Sequence, residues 1–323
     1  MQPTEDLPPL LGGDALRALC PPAAAIDPLR EALRSGLDPS TAPPRTHVPT
    51  SAGQLLLMPA EHGSYAGVKI AGVAPGNPAL GLPRITGLYL LLDAATLRPL
   101  ALLDGPQLTL TRTSAVSALA VDHLAAPDAD RMLVHGTGPQ ALAHAAAVHA
   151  VRPLRRLDVV GRRPEAVAEF VRACAALGLP ARAADSASPR GADLVVCCTS
   201  ATGPLFDGAE LEEHATVVAM GSHTPDARET DDATVRRATV VVEDVGAALR
   251  EAGDIVIPHR AGLLPRERLH TLADLVTGRF EPPAGPRFFK SVGMAWQDLV
   301  VASRIHERSR DRVTESPAPS SGG

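Results

Sequence analysis

From about residue 113 onward, short apolar runs alternate with stretches of helical periodicity. Apolar runs of strand length lie at 131–135, 157–160, 193–198, 216–220 and 239–244. The helical stretches lie at 139–150 and 164–177, with shorter ones near 208–214 and 231–237. Valine-rich strands that alternate with helices predict a parallel sheet covered on both faces. We therefore expect an α/β fold with a doubly wound sheet in this part of the chain.

The first 112 residues have a different pattern. Proline-rich pieces such as GLDPSTAPPRTHVP (36–49) separate apolar runs at 53–59, 67–73 and 87–93. These runs predict strands joined by many turns. At the other end, a charged segment followed by proline, serine and glycine predicts a disordered tail over 311–323.

Composition narrows the class of protein. The chain has 323 residues, enough for two domains, and its net charge of -5 argues against nucleic acid or a membrane surface as a partner. No apolar run approaches the roughly 20 residues of a membrane-spanning helix. The four cysteines lack metal-ligand spacing, so we expect reduced thiols, no metal site and a cytoplasmic location.

The stretch HGTGPQA (135–141) joins a predicted strand to a predicted helix. Gly136-x-Gly138-x-x-Ala141 matches the dinucleotide fingerprint in the context that this motif requires. The first glycine allows a tight turn, the second allows a pyrophosphate to approach the backbone, and the small third residue allows close helix packing. The helix N-terminus would then bind the pyrophosphate. The alternative is a tight turn without a ligand.

The end of the next strand indicates which dinucleotide binds. NAD-binding proteins usually carry an acidic residue there for the ribose hydroxyls. Here Gly161-Arg162-Arg163 follows the strand, and Asp158 lies too early, within it. Two guanidinium groups suit a 2′-phosphate, so we predict NADPH as the preferred cofactor, with NADH as the alternative. Both arginines could also be ordinary surface residues.

Six stretches occur together in a recognisable order. They are GVKIAGVAPGNPALGLP (67–83), RTSAVSALA (112–120), HGTGPQA (135–141), CCTSATGPLF (197–206), MGSHTPDARETD (220–231) and FFKSVGMAWQDL (288–299). With this order and spacing, the chain resembles the ornithine cyclodeaminase/mu-crystallin family from about residue 40 to 305. The resemblance implies a Rossmann domain (113–287) inserted into an α+β domain (1–112 and 288–310). The α+β domain would bind a small-molecule substrate and form a homodimer.

The resemblance also implies a cluster that holds the carboxylate of an amino or imino acid. Arg45, Lys69 and Arg112 match its positions, and arginine and lysine are suitable carboxylate ligands. Lys69 has independent support, because a lysine within an apolar run needs a partner or a ligand unless it snorkels from a strand edge. Arg112 could otherwise be surface charge just before a helix.

The cofactor contacts implied by the resemblance and the turns form a larger set. They are Thr113, Gly136, Thr137, Gly138, Gln140, Gly161, Arg162, Arg163, Thr199 and Ser291. Thr113 and Thr199 are expected at ends of elements near the nicotinamide, where threonine is also a common cap or turn residue. Ser291 could instead be the N-cap of the final helix.

One position departs from the family pattern. Deaminating cyclases of the family carry an aspartate in a Gly-x-Asp-x-Pro motif, whereas this chain has His223 there, in GSHTP (221–225). Histidine titrates near neutral pH, so His223 is a candidate acid or base, with a plain loop residue as the alternative. The rest of the motif is closer to the mu-crystallin branch, which reduces cyclic ketimines.

The resemblance therefore predicts an NAD(P)H-dependent reductase of small α-imino acids, such as 1-pyrroline-2-carboxylate or 1-piperideine-2-carboxylate. Lys69 and His223 are its catalytic candidates. Three alternatives stay open. The first is ornithine cyclodeaminase, which forms L-proline and ammonia with NAD as an internal redox cofactor. The others are an opine- or alanine-type amino acid dehydrogenase and an NADPH-dependent binding protein without turnover.

Overall fold

A computed structural model describes residues 7–315 of the chain. These residues divide into two compact units. Unit 1 contains the described parts of Met1–Pro28, Ala42–Arg112 and Ala295–Gly323, and unit 2 contains Leu29–Thr41 and Thr113–Met294.

The described residues form strands and α-helices with the following bounds. The strands are β1 (Leu10–Leu11), β2 (Thr46–Thr50), β3 (Gly53–His62), β4 (Tyr65–Val73), β5 (Ile85–Asp93), β6 (Pro99–Asp104), β7 (Arg131–His135), β8 (Arg156–Val160), β9 (Ala181–Ala183), β10 (Leu194–Cys197), β11 (Thr216–Ala219), β12 (Thr239–Val242), β13 (Leu269–Thr271) and β14 (Arg287–Lys290). The helices are α1 (Gly13–Leu19), α2 (Pro22–Arg34), α3 (Gly105–Leu124), α4 (Pro139–Val151), α5 (Pro164–Ala176), α6 (Asp232–Arg237), α7 (Val245–Glu251), α8 (Gly253–Arg260), α9 (Leu272–Val276) and α10 (Ala295–Glu315).

Unit 1 is built on a six-stranded sheet in the order β1-β6-β5-β4-β3-β2. Strands β2 to β6 pair antiparallel with their neighbours, and β1 pairs parallel with β6. Side chains alternate between the two faces of such a sheet. In β4, Lys69, Ala71 and Val73 are buried, whereas Ile70 is 42% exposed. Helix α10 packs against β3, β4 and β5 on the buried face.

Unit 2 contains an eight-stranded parallel sheet in the order β13-β12-β14-β11-β10-β7-β8-β9. From β7 the chain moves outward through β8 and β9, then returns to β10 and β11 on the other side. Because crossovers between parallel strands are right-handed, this reversal places helices on both faces. The carboxyl end of β7 is therefore the topological switch point, where α/β sheets bind ligands. The predicted α/β fold is confirmed.

The inner strands of this sheet are mostly buried because helices cover it, whereas the edge strands β9 and β13 are more exposed. All four residues of β10 and all four of β11 are buried. Valine and other branched residues fill these positions, and they pack well on a pleated surface. Phe288 in β14 is completely buried in the same core. This rigid core positions the loops at the strand ends.

The structure corrects several expectations about elements. The stretch 208–214 contains only a short 3-10 turn at Gly208–Glu210 instead of a helix. Residues 288–294, expected in the first domain, cluster with unit 2 because β14 pairs between β11 and β12. Residues 29–41 also cluster with unit 2.

The predicted tail is corrected at its beginning. Helix α10 continues to Glu315, so residues 311–315 are helical, and the remainder of the predicted tail lies outside the described residues. Within residues 7–315, no helix combines the length and apolarity that crossing a membrane would need.

Candidate functional site

The glycine turn lies at the carboxyl end of β7 and leads into α4. Gly136 has φ +117°, and a Cβ there would lie 2.5 Å from the backbone oxygen of Cys198, so the turn requires glycine. Gly138 is different, because a Cβ there would meet nothing within 4 Å. Ala141 is completely buried. The turn is thus tight at its first glycine and open at its second, as the fingerprint predicts.

Polar atoms near this turn and in α3 lack partners among the described residues, and two of them could face a ligand. They are Oε1 of Gln140, in the first turn of α4, and Oγ1 of Thr113. Buried polar atoms without partners are uncommon and indicate a missing ligand or water. Helix α4 also has no side-chain cap at Gly138. These features fit a dinucleotide whose phosphates bind the free N–H groups of the helix.

Thr113 was expected at the end of an element, but the structure places it elsewhere. It lies within α3, which begins at Gly105, so the expected position of Thr113 at the end of an element was wrong. Packing also explains why residue 161 is a glycine, since a Cβ there would lie 2.7 Å from Cγ2 of Thr137. Contacts of Thr113, Thr137 and Gly161 with a cofactor stay predictions.

The loop after β8 carries exposed positive charge. Arg162 and Arg163 are exposed, and neither guanidinium group has a hydrogen bond or ion pair within the part of the chain that the structure describes. Asp158 instead pairs with Arg156 and Arg182, at 2.6 Å in both cases. The charge of Asp158 is therefore already neutralised by two arginines. The charged groups exposed at the end of the strand are the guanidinium groups of Arg162 and Arg163.

A buried glutamate joins the ends of β10 and β11. Glu229 accepts hydrogen bonds from the backbone N–H of Thr199 (2.8 Å), from the Thr199 hydroxyl (2.7 Å) and from the N–H of Gly221 (2.7 Å). Burial raises the pKa of Glu229. Because the Thr199 hydroxyl donates its hydrogen bond to Glu229, Thr199 has a role in the geometry of this loop. Its cofactor contact stays a prediction.

A second buried network holds the loop that follows β11. The ammonium group of Lys290 donates to the backbone oxygen of Ser222 (2.6 Å) and pairs with Asp254 (3.0 Å). Asp254 also accepts from the N–H groups of Glu229 and Thr230. Although burial opposes ionisation, Lys290 and these donors hold the pKa of Asp254 below its usual value. Lys290 therefore stabilises the loop that contains His223.

His223 itself is exposed, with Nδ1 3.4 Å from the backbone oxygen of Gly221. Its catalytic role stays a prediction. Ser291 is buried and donates to Glu243 (2.9 Å), which also accepts from the N–H groups of Val292 and Gly293. Helix α10 begins at Ala295, so Ser291 is not its N-cap. Its contact with the nicotinamide also stays a prediction.

In unit 1, Lys69 and Arg112 meet around one buried carboxylate. The Nζ atom of Lys69 lies 2.8 and 3.0 Å from the two carboxylate oxygens of Asp298, and Nε of Arg112 lies 3.2 Å from one of them. Lys69 is 4% exposed, Arg112 6% and Asp298 0%. Strand β4 pairs on both sides, so Lys69 does not snorkel from an edge. Arg112 is inside α3, so the surface interpretation was also wrong.

Arg112 and Arg45, the two other residues predicted to bind the substrate carboxylate, both lie within electrostatic range of Lys69. Burial lowers the pKa of Lys69 to about 8, while Asp298 raises it and the charges of Arg112 and Arg45 lower it further. A pKa near 8 lets the Lys69 ammonium lose and regain its proton close to neutral pH. The group has three cations and one carboxylate, so its excess positive charge fits an anionic ligand.

Sequence reasoning missed the partners on α10. Asp298 and Gln297 lie in the first turns of this helix, and Oε1 of Gln297 accepts from Nη1 of Arg112 at 3.0 Å. The only signal in the sequence was WQDL within an otherwise apolar stretch. Tyr89, which pairs with Lys69 across the strands, was also missed. Its hydroxyl is buried without a partner among the described residues.

Comparison with known proteins gives a consistent set of relatives. The sequence profile of the ornithine cyclodeaminase/mu-crystallin family matches residues 19–312. The chain is 38% identical over 260 residues to Delta(1)-pyrroline-2-carboxylate reductase 2 of Burkholderia ambifaria, covering 80% of this chain and 82% of the relative. It is also 38% identical to a Delta(1)-pyrroline-2-carboxylate/Delta(1)-piperideine-2-carboxylate reductase of Azospirillum brasilense, with the same coverage.

Two solved structures have the same fold. The Delta(1)-pyrroline-2-carboxylate reductase of Thermococcus litoralis, in complex with NADH and L-proline, superimposes with a TM-score of 0.89 at 29% identity, covering 96% of this chain and 99% of the other. An archaeal alanine dehydrogenase dimer with bound NAD superimposes with a TM-score of 0.88 at 26% identity, covering 97% and 99%.

Proposed function

Since this chain belongs to the ornithine cyclodeaminase/mu-crystallin family, we propose that it is an NAD(P)H-dependent reductase of small α-imino acids. The substrates are cyclic ketimine carboxylates, 1-pyrroline-2-carboxylate or 1-piperideine-2-carboxylate. The observation that carries this proposal is the buried group of Lys69 and Arg112, with Arg45 in electrostatic range. The relatives named as reductases of these two compounds support it.

In the mechanism, the cationic group binds the substrate carboxylate. Arg112 and Arg45 neutralise it, and Lys69 adds a third positive charge. A bound reduced nicotinamide supplies the hydride. Protonation of the imine nitrogen makes the neighbouring carbon electrophilic, and Lys69, with its pKa near 8, holds a proton for this purpose at Nζ. Burial of the cluster excludes water and strengthens each charged contact.

The proposal is tested by a paired assay on the purified protein. One reaction contains a cyclic ketimine carboxylate with NADPH or NADH, and oxidation of the nicotinamide is followed by absorbance. The other contains L-ornithine with catalytic NAD and is analysed for ammonia and proline. We expect turnover only in the first reaction. Ammonia in the second would identify a cyclodeaminase, and tight nucleotide binding without turnover in either would identify a binding protein.

We propose NADPH as the preferred nicotinamide cofactor because of the two exposed arginines after β8. Replacing Arg162 and Arg163 together by serine is expected to weaken NADPH binding about 10- to 100-fold, since a doubly charged phosphate loses two charge-assisted partners. NADH binding should change little. Dissociation constants measured for both nucleotides by fluorescence titration check this expectation.

Arg172→Ser is a matched control for the arginine pair, because Arg172 is exposed on the helix that follows this loop. It removes positive charge without touching the loop and should leave both dissociation constants unchanged. Equal weakening of NADPH and NADH in the double variant would contradict a 2′-phosphate site.

The homodimer is also a proposal, supported by the uncovered face of the six-stranded sheet. Ile70, Leu88, Leu55 and Val48 are each 39–43% exposed on β2 to β5. Ile70 pairs directly with Leu88, and Val48 with Leu55, so these side chains form neighbouring apolar pairs. Large exposed apolar patches usually mark interfaces. A similar protein of known structure is a dimer, so a second copy is the proposed partner.

A charged residue on this face should prevent association. Ile70→Asp is expected to shift the mass in solution from two chains to one, because a carboxylate would be buried without a partner. Light scattering after size-exclusion chromatography measures the mass. Leu177→Asp, at an exposed leucine of unit 2, serves as the control. A wild-type monomer, or a dimeric Ile70→Asp protein, would argue against this interface.

The cytoplasmic location stays a proposal, supported by four free thiols.

A further inference from the structure

We propose that Asp298 is a positioning residue of the reaction: it holds Lys69 and Arg112 side by side in the arrangement that binds the substrate carboxylate. This inference rests on the proposed function of the cationic cluster. Asp298 contacts the two cations and would itself not touch the substrate, because both of its oxygens are already engaged by Lys69.

Asp298 is placed by the last helix of unit 1. It lies in the first turn of α10, where the helix dipole favours a negative charge. Its side chain is completely buried, and α10 packs on the sheet strand that carries Lys69. A buried carboxylate is costly unless it is paired. Here the pairing is complete, so the position of α10 determines the position of the Lys69 ammonium.

The guanidinium group of Arg112 is held along two edges. Nε donates to Asp298 at 3.2 Å, and Nη1 donates to the neighbouring Gln297 at 3.0 Å. Among residues 7–315 the hydrogen bonds of the Arg112 side chain use Nε and Nη1, which leaves Nη2 to bind a ligand. A carboxylate binds a guanidinium group best in one orientation. The two hydrogen bonds to α10 therefore orient the Arg112 guanidinium group for its ligand.

Asp298 also separates two like charges. Lys69 and Arg112 share the same carboxylate oxygen, at 3.0 and 3.2 Å, so their charges are close together in a buried place. Without the carboxylate, the repulsion between them would favour loss of the Lys69 proton. The anion therefore keeps the ammonium charged so that it can attract the substrate. A purely structural ion pair would have the same effect on Lys69, so the affinity for a carboxylate ligand is what separates a positioning role from a structural one.

The protein offers a direct measurement, because its sequence contains two lysines, Lys69 and Lys290. In protein labelled with ¹³C at lysine Cε, each lysine gives its own NMR signal, and Lys69→Met assigns them. In Asp298→Asn we expect the midpoint of the Lys69 titration to move at least one pH unit below the wild-type value. The Lys290 signal is the internal reference and should be the same in both proteins.

Ligand binding is measured on the same proteins. With NADH present, the dissociation constant for L-proline is expected to rise at least tenfold in Asp298→Asn, while NADH affinity stays unchanged. Asp298→Glu keeps the charge but moves the carboxylate, so the Lys69 midpoint should stay near the wild-type value although L-proline affinity falls. Glu307→Gln, which removes a half-exposed carboxylate on the same helix, is the matched control and should change neither readout.

The outcomes separate this inference from the proposed function. If Asp298→Asn lowers only the melting temperature and leaves the Lys69 titration and L-proline affinity unchanged, Asp298 is structural and the inference is wrong. If wild-type protein neither binds L-proline nor reduces a ketimine, the proposed function fails first, and the positioning role fails with it. If Asp298→Asn does not fold, Asp298→Glu decides by the same two measurements.

Discussion

Lys69→Met is expected to lower kcat/KM for 1-pyrroline-2-carboxylate by about 10²–10⁴-fold. The variant loses the ammonium group that both binds the substrate carboxylate and donates the proton. Methionine fills a similar volume without the charge. Asp298 keeps its contact with Arg112, so a folded protein is expected. Steady-state kinetics of the purified variant measure the loss, and NADPH binding serves as a check that the protein is intact.

The pH dependence gives this prediction a second readout. Lys69, with a pKa of about 8, carries its charge below that pH and loses it above. In wild-type protein, kcat/KM should therefore be level up to about pH 8 and fall as the pH rises further. Lys69→Met should lack this fall. Arg98→Met, which removes an exposed charge in the same unit, is expected to match the wild type. An unchanged profile in Lys69→Met would contradict the assignment.

Gly138→Ala is expected to weaken binding of NADPH and NADH about 10- to 100-fold while leaving the melting temperature nearly unchanged, a loss of roughly 1.4–2.8 kcal/mol of binding free energy. Gly138 has φ -85° and ψ 179°, which alanine adopts without strain. The added methyl group would meet no protein atom within 4 Å. It would instead occupy the space through which a pyrophosphate reaches the backbone.

Gly136→Ala is the contrasting variant. Here the methyl group would collide with the backbone oxygen of Cys198, at a φ that favours glycine. Strain of this kind costs on the order of 1–3 kcal/mol, so the melting temperature should fall. Calorimetry and nucleotide titration of both variants distinguish a binding glycine from a folding glycine. Normal nucleotide affinity in Gly138→Ala would show that this turn does not hold a dinucleotide.

The fold was predictable where periodicity alone determines an element. The runs at 131–135 and 216–220 became β7 and β11 with nearly the predicted bounds, since a covered parallel strand requires a continuous apolar run. The prediction failed at 288–294, where FFKS was placed with the other domain. A short apolar run carries no information about its neighbours, and only pairing with β11 and β12 placed it in the parallel sheet.

The glycine turn and the lysine in an apolar run were visible in the sequence by themselves. Gly136 and Gly138 signal a turn because their chemistry is local, and Lys69 stands out because burial of a lone cation is costly. The sequence also determined the family, through ordered motifs. Asp298, the partner of Lys69, was not visible, because 229 positions separate the two residues along the chain. The tertiary structure alone decided that contact, as it decided that Glu229 joins two strand ends. Local propensity determines elements, whereas paired charges depend on how distant elements pack.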